Sequence, residues 1–456
     1  MARRQDVTRA LAEWVVDSKF DDIPDNVRAQ GVRSFVNWLG CAVGGASHET
    51  ADRAIEGVAP FSGSQKVTVV GRAERLDALH AALLNGITSH VLDYDDTHLK
   101  TIIHPAGPVA SAALTVAELK GLSGRDVLHA LLLGIEVECR IGNSVYPDHY
   151  DRGWHITGTT GVFGAAAAVG KLLGLDAQRM TWALSLAATQ SSNLREMFGT
   201  MTKSFHPGRA AQNGATAAFL AQAGFDSAEA GIEGRRGFAH VLSTKQDYGE
   251  ILDTLGTEWE AGLNSYKPFA CGIVIHPAID GCIQLHKEHA IPAAEVESIE
   301  LKAHPFVLEL TGKTDPKTGL ESKFSIFHAT ACALERGDGS PTAFTDEAAT
   351  NPVLVDLRRR VKVETSPSVR EDEVTITVRT KDGRTIEKYI EHAIGSLHRP
   401  LSNADLDRKF LHQSALVIGE AQSAELLDMA WKVEDFRHAA DIAKASVPAR
   451  QKAEAV

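Results

Sequence analysis

The chain has 456 residues, of which 44% are hydrophobic and 23% charged, and its formal net charge is −12. This length exceeds one ordinary hydrophobic core, so we expect a globular protein of two domains. The negative charge disfavours nucleic acid and anionic membranes as partners, and no apolar run reaches the roughly 18 residues of a membrane span. Because the first residues lead into an amphipathic segment and not into a signal-peptide core, we predict a cytoplasmic protein.

The cysteines are widely spaced along the chain, at Cys41, Cys139, Cys271, Cys282 and Cys332. Their odd number and the lack of a C-x-x-C pair count against a disulfide framework, a zinc site and an iron–sulfur cluster. We therefore expect buried free thiols.

Up to about residue 265 the chain carries the hydrophobic spacing of helices almost throughout. The exception is the segment 66–72, which is short, β-branched and closed by Gly71, and which indicates an isolated strand or a loop. The predicted helices span 7–20, 27–46, 76–87, 106–120, 124–143, 158–175, 177–192 and 209–224.

Beyond residue 265 the pattern changes. Alternating β-branched residues predict strands at 296–303, 361–366, 373–380 and 384–392, and helices are predicted at 277–289 and 323–336. Asp382-Gly383 predicts a hairpin between the last two strands. The helical pattern returns after Pro400, with Ser402 or Asn403 as the N-cap.

These segments predict a mostly α fold. A large all-helical domain would be built from residues 1–266 and 400–456. A smaller α+β lid domain, residues 267–399, would be inserted into it. A cleft between two such domains is a usual place for a ligand.

An acidic cluster follows the helix predicted at 76–87. Asp93, Asp95 and Asp96 fall within four residues, between His90 and His98. The spacing does not match an EF-hand loop, but the residue types permit a Mg²⁺ or transition-metal site. The alternative is that the cluster is a solvated, charged helix end. From these residues alone, a metal-binding or non-catalytic protein is therefore still a possible interpretation.

Two further histidines precede predicted helices. His104 lies in an apolar setting before Pro105, where a structural role is the more common one. His155 precedes the segment 157–160, rich in Thr and Gly, at the start of an Ala-rich helix. Free backbone N–H groups at such a helix start bind a carboxylate as readily as a phosphate.

Basic side chains gather at three places further along the chain. Lys203 and His206 belong to a cluster that is either a local cation patch or a basic surface turn. Lys267 lies at the predicted domain boundary, followed by His276, and Lys323 precedes a predicted helix. On a net-acidic protein, an anionic substrate requires such local concentrations of positive charge.

Taken in order, these stretches resemble the MmgE/PrpD family, whose members include 2-methylcitrate dehydratase, cis-aconitate decarboxylase and iminodisuccinate epimerase. The resemblance covers essentially the whole chain. It is carried by Asp93-Tyr94-Asp95-Asp96-Thr97 with His104-Pro105, Trp154-His155, Thr202-Lys203-x-x-His206-x-Gly208, Tyr266-Lys267-Pro268-Phe269 with His276-Pro277, Lys323-Phe324-Ser325 and Lys409-Phe410.

The resemblance implies a helical domain with a smaller α+β lid, a homodimer, and no metal or organic cofactor. It also implies a catalytic site made from Asp93, Thr97, His104, His155, Lys203 and Lys267. Two stretches depart from the family pattern. Where the decarboxylase has a histidine five residues after the lysine of the Tyr266–Phe269 motif, this chain has Gly272, and the tract 99–103 differs from that of the 2-methylcitrate dehydratases.

The reactions of this family develop charge on a carbon beside a carboxylate, and cations must stabilise that charge. We expect Lys203, Lys267 and His206 to do so, with Lys323 and His276 as further substrate-binding candidates. The predicted ligand is therefore a small polycarboxylate.

An acid and a base are also required, one on each side of the bond that changes. His104 and His155 are the candidate pair, because an unperturbed imidazole titrates near pH ~6.5. Asp93 would orient a histidine or bind a substrate hydroxyl, Thr97 would donate a hydrogen bond, and Lys203 is an alternative proton carrier. The predicted function is a cofactor-independent lyase, a hydratase/dehydratase or decarboxylase, and the alternative is an epimerase of a dicarboxylate such as iminodisuccinate.

Overall fold

The computed structural model describes residues 6–449. Its α-helices are α1 (Val7–Asp17), α2 (Asp25–Gly45), α3 (Glu49–Val58), α4 (Ala78–His90), α5 (Ala106–Lys120), α6 (Gly124–Val145), α7 (Asp148–Asp151), α8 (Ile156–Leu172), α9 (Ala177–Ala188), α10 (Thr202–Gln222), α11 (Phe238–Leu242), α12 (Gly249–Leu252), α13 (His276–His289), α14 (Phe306–Thr311), α15 (Gly319–Ser322), α16 (Ile326–Arg336), α17 (Asp346–Thr350), α18 (Pro352–Arg358), α19 (Asn403–Ile418), α20 (Glu420–Trp431) and α21 (Ala440–Ala445). Its strands are β1 (Val67–Thr68), β2 (Arg75–Leu76), β3 (Asp96–His98), β4 (Asn264–Tyr266), β5 (Val296–Ala303), β6 (Val361–Thr365), β7 (Val374–Thr380) and β8 (Thr385–Ile390).

The predicted fold class, mostly α with a smaller α+β part, is confirmed. Single-turn 3₁₀ helices connect the larger elements, at Phe20–Asp22, Ala59–Phe61, Arg195–Met197, Glu260–Leu263, Ile273–Ile275, Ala293–Glu295, Pro341–Phe344 and Val433–Asp435. Within residues 6–449, no helix combines the length and the apolar character that a bilayer crossing requires.

Helix α8 lies at the centre of the helical core. It packs against α5, α6 and α10, and it is buried from Ile156 to Gly170. Its Ala and Gly residues have little side-chain volume, so neighbouring helices approach its backbone closely. All five cysteines are buried free thiols, which confirms that prediction.

Helices α4 and α10 cross at a pair of glycines. A Cβ atom on Gly86 would lie 2.4 Å from the Cα of Gly208, and a Cβ on Gly208 would lie 2.3 Å from the carbonyl oxygen of Leu83. Only residues without a side chain permit this approach. The crossing places the first turns of α10 beside the chain that leaves α4, where the acidic cluster begins.

Helix α10 begins earlier than its sequence predicts. We expected a helix from residue 209, but it starts at Thr202 and contains Pro207 in its interior. Proline lacks an N–H group, so the helix loses one backbone hydrogen bond there. Burial of Pro207 and Gly208 against α4 offsets that loss, and as a result Lys203 and His206 lie within the helix and not before it.

A small antiparallel pair joins two distant parts of the chain. β3 pairs with β4 so that Asp96 lies opposite Tyr266 and Thr97 opposite Ser265. The sequence did not predict either strand. The pairing brings Lys267, directly after β4, next to the acidic cluster, which ends at the first residue of β3.

The larger sheet has the strand order β6-β5-β7-β8. β5 runs parallel to β6 and antiparallel to β7, and β7 and β8 form the predicted hairpin, with Gly383 at a φ of 90° in its turn. Helix α13 packs against β7 and β8 and against α16. After this sheet, α19 packs along α2, with Ser402 as its N-cap in a capping box with Asp405.

The glycine crossing gives a test of how tightly α4 and α10 are packed. We expect Gly208→Ala to lower the free energy of unfolding by about 1–3 kcal/mol, because the added methyl group meets backbone atoms that cannot rotate away. Urea unfolding followed by circular dichroism measures this change.

The matched control is Gly57→Ala in α3, where a Cβ meets nothing within 4 Å. There the same substitution should be neutral or stabilise by up to about 1 kcal/mol, because alanine restricts the unfolded chain. Equal midpoints for Gly208→Ala and the wild type would show that the crossing is not close-packed.

Candidate active site

The candidate site centres on a buried carboxylate held by two buried lysines. Asp93 Oδ1 lies 2.5 Å from Nζ of Lys267 and 2.9 Å from Nζ of Lys203. Burial alone would raise the pKa of Asp93, but the two ammonium groups hold it well below its usual value. Burial lowers the pKa of Lys203, whereas the pKa of Lys267 is raised, because Asp93 and Asp95 together outweigh the effect of burial.

The turn that carries Asp93 is held in place on both sides. Asp93 has a φ of 50°, a left-handed conformation that aspartate tolerates better than most residues. Lys323 Nζ donates to the carbonyl of Leu92 at 2.7 Å, and Lys409 Nζ donates to the carbonyl of Tyr94 at 2.5 Å. Burial lowers the pKa of both lysines to about 8. Three consecutive residues are thus anchored by lysines from distant parts of the chain.

The carboxylates of the acidic cluster have different partners. Asp95 accepts a hydrogen bond from His90 Nδ1 at 2.6 Å, while Asp96 accepts from the Asn264 amide at 2.6 Å and from the Ala106 N–H at 3.1 Å. Burial and the neighbouring charge of Asp95 raise the pKa of Asp96 to about 7. The cluster is buried, so it is not a solvated helix end.

The two predicted acid–base histidines are held through their Nδ1 atoms. His104 Nδ1 lies 2.7 Å from the carbonyl oxygen of Asp96 and 3.2 Å from Thr97 Oγ1. Since a carbonyl oxygen can only accept a hydrogen bond, Nδ1 of His104 carries the proton. Nε2 of the neutral ring therefore has a free lone pair. His155 Nδ1 lies 2.8 Å from His206 Nδ1, so one of these two nitrogens donates and the other accepts.

Burial keeps these imidazoles neutral. It lowers the pKa of His104 well below its usual value, and the nearby charge of Lys267 lowers it further. Burial, followed by His206 and Lys203, does the same to His155, and burial lowers the pKa of His206 to about 3. A neutral imidazole at neutral pH is able to accept a proton or, from its other nitrogen, to donate one.

These side chains surround one cavity with about 400 Å³ of empty space. Its polar lining consists mainly of Asp93, His104, His155, Lys203 and Lys267. The rest is largely apolar and includes Ile102, Tyr150, Phe198, Ile273, Val274, Leu310 and Phe324. We call this space the reaction cavity. One part of its lining is thus cationic and imidazole groups, and the other part is apolar.

The remaining predicted site residues lie outside the reaction cavity. Thr97 contacts Nδ1 of His104, and His206 contacts Nδ1 of His155, so both support a histidine that lines the cavity. Lys323 lines an adjoining cavity. His276 is further away, in an outer cavity, where its ring packs edge-on against Phe269 at 5.3 Å.

Sequence reasoning missed several residues of the site. His90 was noted only as a neighbour of the acidic cluster, yet its ring centroid lies 4.9 Å from that of His104. Tyr150 and Phe198 line the cavity, and the Phe198 ring packs edge-on against His155 at 4.9 Å. The combination of His90 with Asp95 was a possible signal, whereas the aromatic residues have no local signature that separates them from core residues.

Some of these groups have the chemistry of metal ligands. His90, His104 and His155 place ligand atoms within 4.8 Å of one another, and so do His90, Asp93 and Asp95. Imidazoles in such a group suit zinc or a similar ion. The two adjacent ammonium groups oppose a divalent cation electrostatically. We therefore keep the prediction that this site works without a metal ion.

Comparison with known proteins places the chain in a family. The MmgE/PrpD N-terminal domain matches residues 9–251, and the MmgE/PrpD C-terminal domain matches residues 269–435. The chain therefore belongs to the MmgE/PrpD family, which confirms the resemblance drawn from its motifs.

Individual relatives cover nearly the whole chain. It is 25% identical to cis-aconitate decarboxylase from Aspergillus terreus, over 93% of this chain and 92% of that protein. It is 26% identical to the Mus musculus cis-aconitate decarboxylase, over 94% and 91%, and 27% identical to that of Homo sapiens, over 94% and 92%.

The neutral imidazoles predict a pH dependence of stability. The folded protein keeps His155 unprotonated, while the unfolded chain protonates this residue below its ordinary pKa of ~6.5, so its burial costs stability as pH falls. When the pH is lowered from about 7 to 5, the free energy of unfolding should fall in both proteins. The fall should be about 1–2 kcal/mol smaller for His155→Gln than for the wild type.

Urea unfolding at both pH values measures the difference. His289→Gln, at an exposed position near the end of α13, is the control and should lose as much as the wild type. Parallel losses for His155→Gln and the wild type would mean that His155 is protonated in the folded protein.

Proposed function

We propose that this protein is a cofactor-independent lyase that acts on a small di- or tricarboxylic acid by proton transfer beside a carboxylate. The observation that carries the proposal is the pairing of one carboxylate, Asp93, with two buried lysines in a cavity that also holds two neutral imidazoles. The names of the relatives support a polycarboxylate substrate, because they are cis-aconitate decarboxylases.

The lysines would bind the substrate and stabilise the transition state. One carboxylate does not neutralise two ammonium groups, and Lys203 Nζ also lies 5.4 Å and 5.3 Å from the ring centroids of Phe198 and Phe324. In such a desolvated setting a substrate carboxylate is attracted strongly. The same charges stabilise the negative charge that develops on the adjacent carbon.

The hydrogen bonds favour His104 as the base. Its Nδ1 donates to a carbonyl, so its Nε2 is ready to take the proton from the carbon beside a substrate carboxylate. His155 is then the candidate acid in the tautomer whose Nδ1 accepts a hydrogen bond from His206, because that tautomer carries its proton on Nε2. In a dehydration His104 takes the proton, and the electron pair of the C–H bond forms the carbon–carbon double bond. The C–O bond then breaks, and His155 protonates the departing hydroxide to water.

The lining at Gly272 bears on the choice between lyase reactions. A Cβ atom at this position would lie 2.9 Å from Thr311 Cγ2, so a larger side chain would displace Thr311. The histidine expected here in the decarboxylase therefore has no counterpart, and a side chain at this position would require Thr311 to move. We favour hydration or dehydration over decarboxylation of cis-aconitate.

An epimerase of a dicarboxylate is the second candidate. The opposite protonation available at His104 and His155 would allow one ring to remove a proton and the other to return it to the same carbon. No group would leave the substrate in that reaction. The same lysines would stabilise the intermediate.

The first functional prediction concerns Lys203 and His155. Lys203→Ala and His155→Ala should each lower kcat at least about a hundredfold, the scale of a lost electrostatic contact or of a lost acid. Steady-state kinetics on variants with the circular dichroism spectrum of the wild type measures the effect.

His149→Gln is the matched control. His149 is also buried, but it bonds to Thr159 at 2.8 Å, stacks on Trp154 and does not line the reaction cavity. This variant should keep kcat within about tenfold of the wild type. Near-normal rates in both Lys203→Ala and His155→Ala would remove these residues from the chemistry.

A substrate panel tests the reaction class. We expect one of 2-methylcitrate, citrate, cis-aconitate and iminodisuccinate to be converted in D₂O with gain or loss of water, as read by proton NMR. Deuterium incorporation with inversion and without a new double bond would support the epimerase instead, and release of CO₂ would support a decarboxylase. No conversion of any of these acids would contradict the proposal.

A further inference from the structure

The reaction cavity shares a wall with a second, outer cavity. This outer cavity has about 830 Å³ of empty space and is lined by Leu99, His276 and the segment 393–398, among others. Ile102, Ile273 and Val274 line both cavities. These three apolar side chains therefore separate the cations and imidazoles from the larger space beyond.

Ile102 is the unusual member of this partition. It has a φ of 61°, in the left-handed region, where a β-branched side chain meets its own backbone. Glycine or asparagine normally takes such a position in a turn. The side chain is nonetheless buried at 8% exposure, in a cluster with Ile103, Tyr150 and Ile156.

The turn around Ile102 is fixed from several directions. The His98 N–H donates to the carbonyl of Ile103 at 2.7 Å, and the Ile102 N–H donates to that of His98 at 2.8 Å. Glu260 then binds the turn from outside, through His98 Nε2 at 2.7 Å and Lys100 Nζ at 2.8 Å. The surrounding structure thus holds Ile102 in a conformation that it does not favour, an arrangement that is concentrated at functional sites.

We propose that Ile102 determines the size of the acid that the reaction cavity accepts. Its side chain closes the reaction cavity towards the outer cavity, where the lining is apolar. In a substrate whose carboxylates lie at Lys203 and Lys267, Ile102 therefore limits the length of the alkyl group. This inference rests on the proposed function. The substrate class is a di- or tricarboxylate with at most a short alkyl branch, and longer branches are excluded by contact with Ile102.

Saturated dicarboxylates test the inference without any turnover. Binding of methylsuccinate and propylsuccinate to the whole protein is measured by isothermal titration calorimetry for the wild type, Ile102→Ala and Ile102→Gly. The wild type should bind methylsuccinate more tightly than propylsuccinate. In both variants the ratio of the two Kd values should shift towards propylsuccinate by at least about tenfold, since even one methylene group in an apolar pocket changes affinity on this scale.

Two features make the outcome decisive. Ile102→Gly suits the positive φ, so it keeps the turn even where Ile102→Ala unfolds. Leu99→Ala lies in the same turn but lines only the outer cavity, so its Kd ratio should equal that of the wild type.

An unchanged ratio in folded Ile102→Gly would overturn the inference, as would a wild type that binds neither acid. The shift in Kd ratio without conversion of any acid in the NMR panel would instead contradict only the proposed lyase activity.

Discussion

The contact between Asp93 and two lysines is the constraint on which the rest of the site depends. Neither Lys203 nor Lys267 could be buried as a cation without this carboxylate, and the carboxylate could not be buried without them. The three residues come from the turn after α4, from α10 and from the position directly after β4. One ion-pair network therefore joins three distant segments and forms the floor of the reaction cavity.

The same network sets the electrostatic character of the cavity. Burial keeps the nearby histidines neutral and the neighbouring positive charges lower their pKa further, so their ring nitrogens are available for proton transfer. A polycarboxylate would supply the missing negative charge when it binds. In the proposed reaction the apolar wall would exclude water from the reacting carbon, which would strengthen each of these interactions.

Local sequence patterns predicted much of the fold. The helices and the large sheet follow from hydrophobic spacing, and their predicted positions agree closely with β5 and with the β7–β8 hairpin. The start of α10 was predicted seven residues too late, because a proline normally ends a helix, and here packing against α4 overrides that preference. The short strands β3 and β4 were not predicted, since two or three residues carry no periodicity.

By itself the sequence determined the family, the fold class and a set of candidate residues, because these depend on local spacing and on motifs. Only the tertiary structure decided which candidates share a cavity: it brought Asp93, His104 and Lys267 together and left His276 outside. It also decided which nitrogen of His104 carries the proton. The physical reason is that burial, hydrogen-bond partners and pKa shifts arise from contacts between segments that lie far apart in the chain.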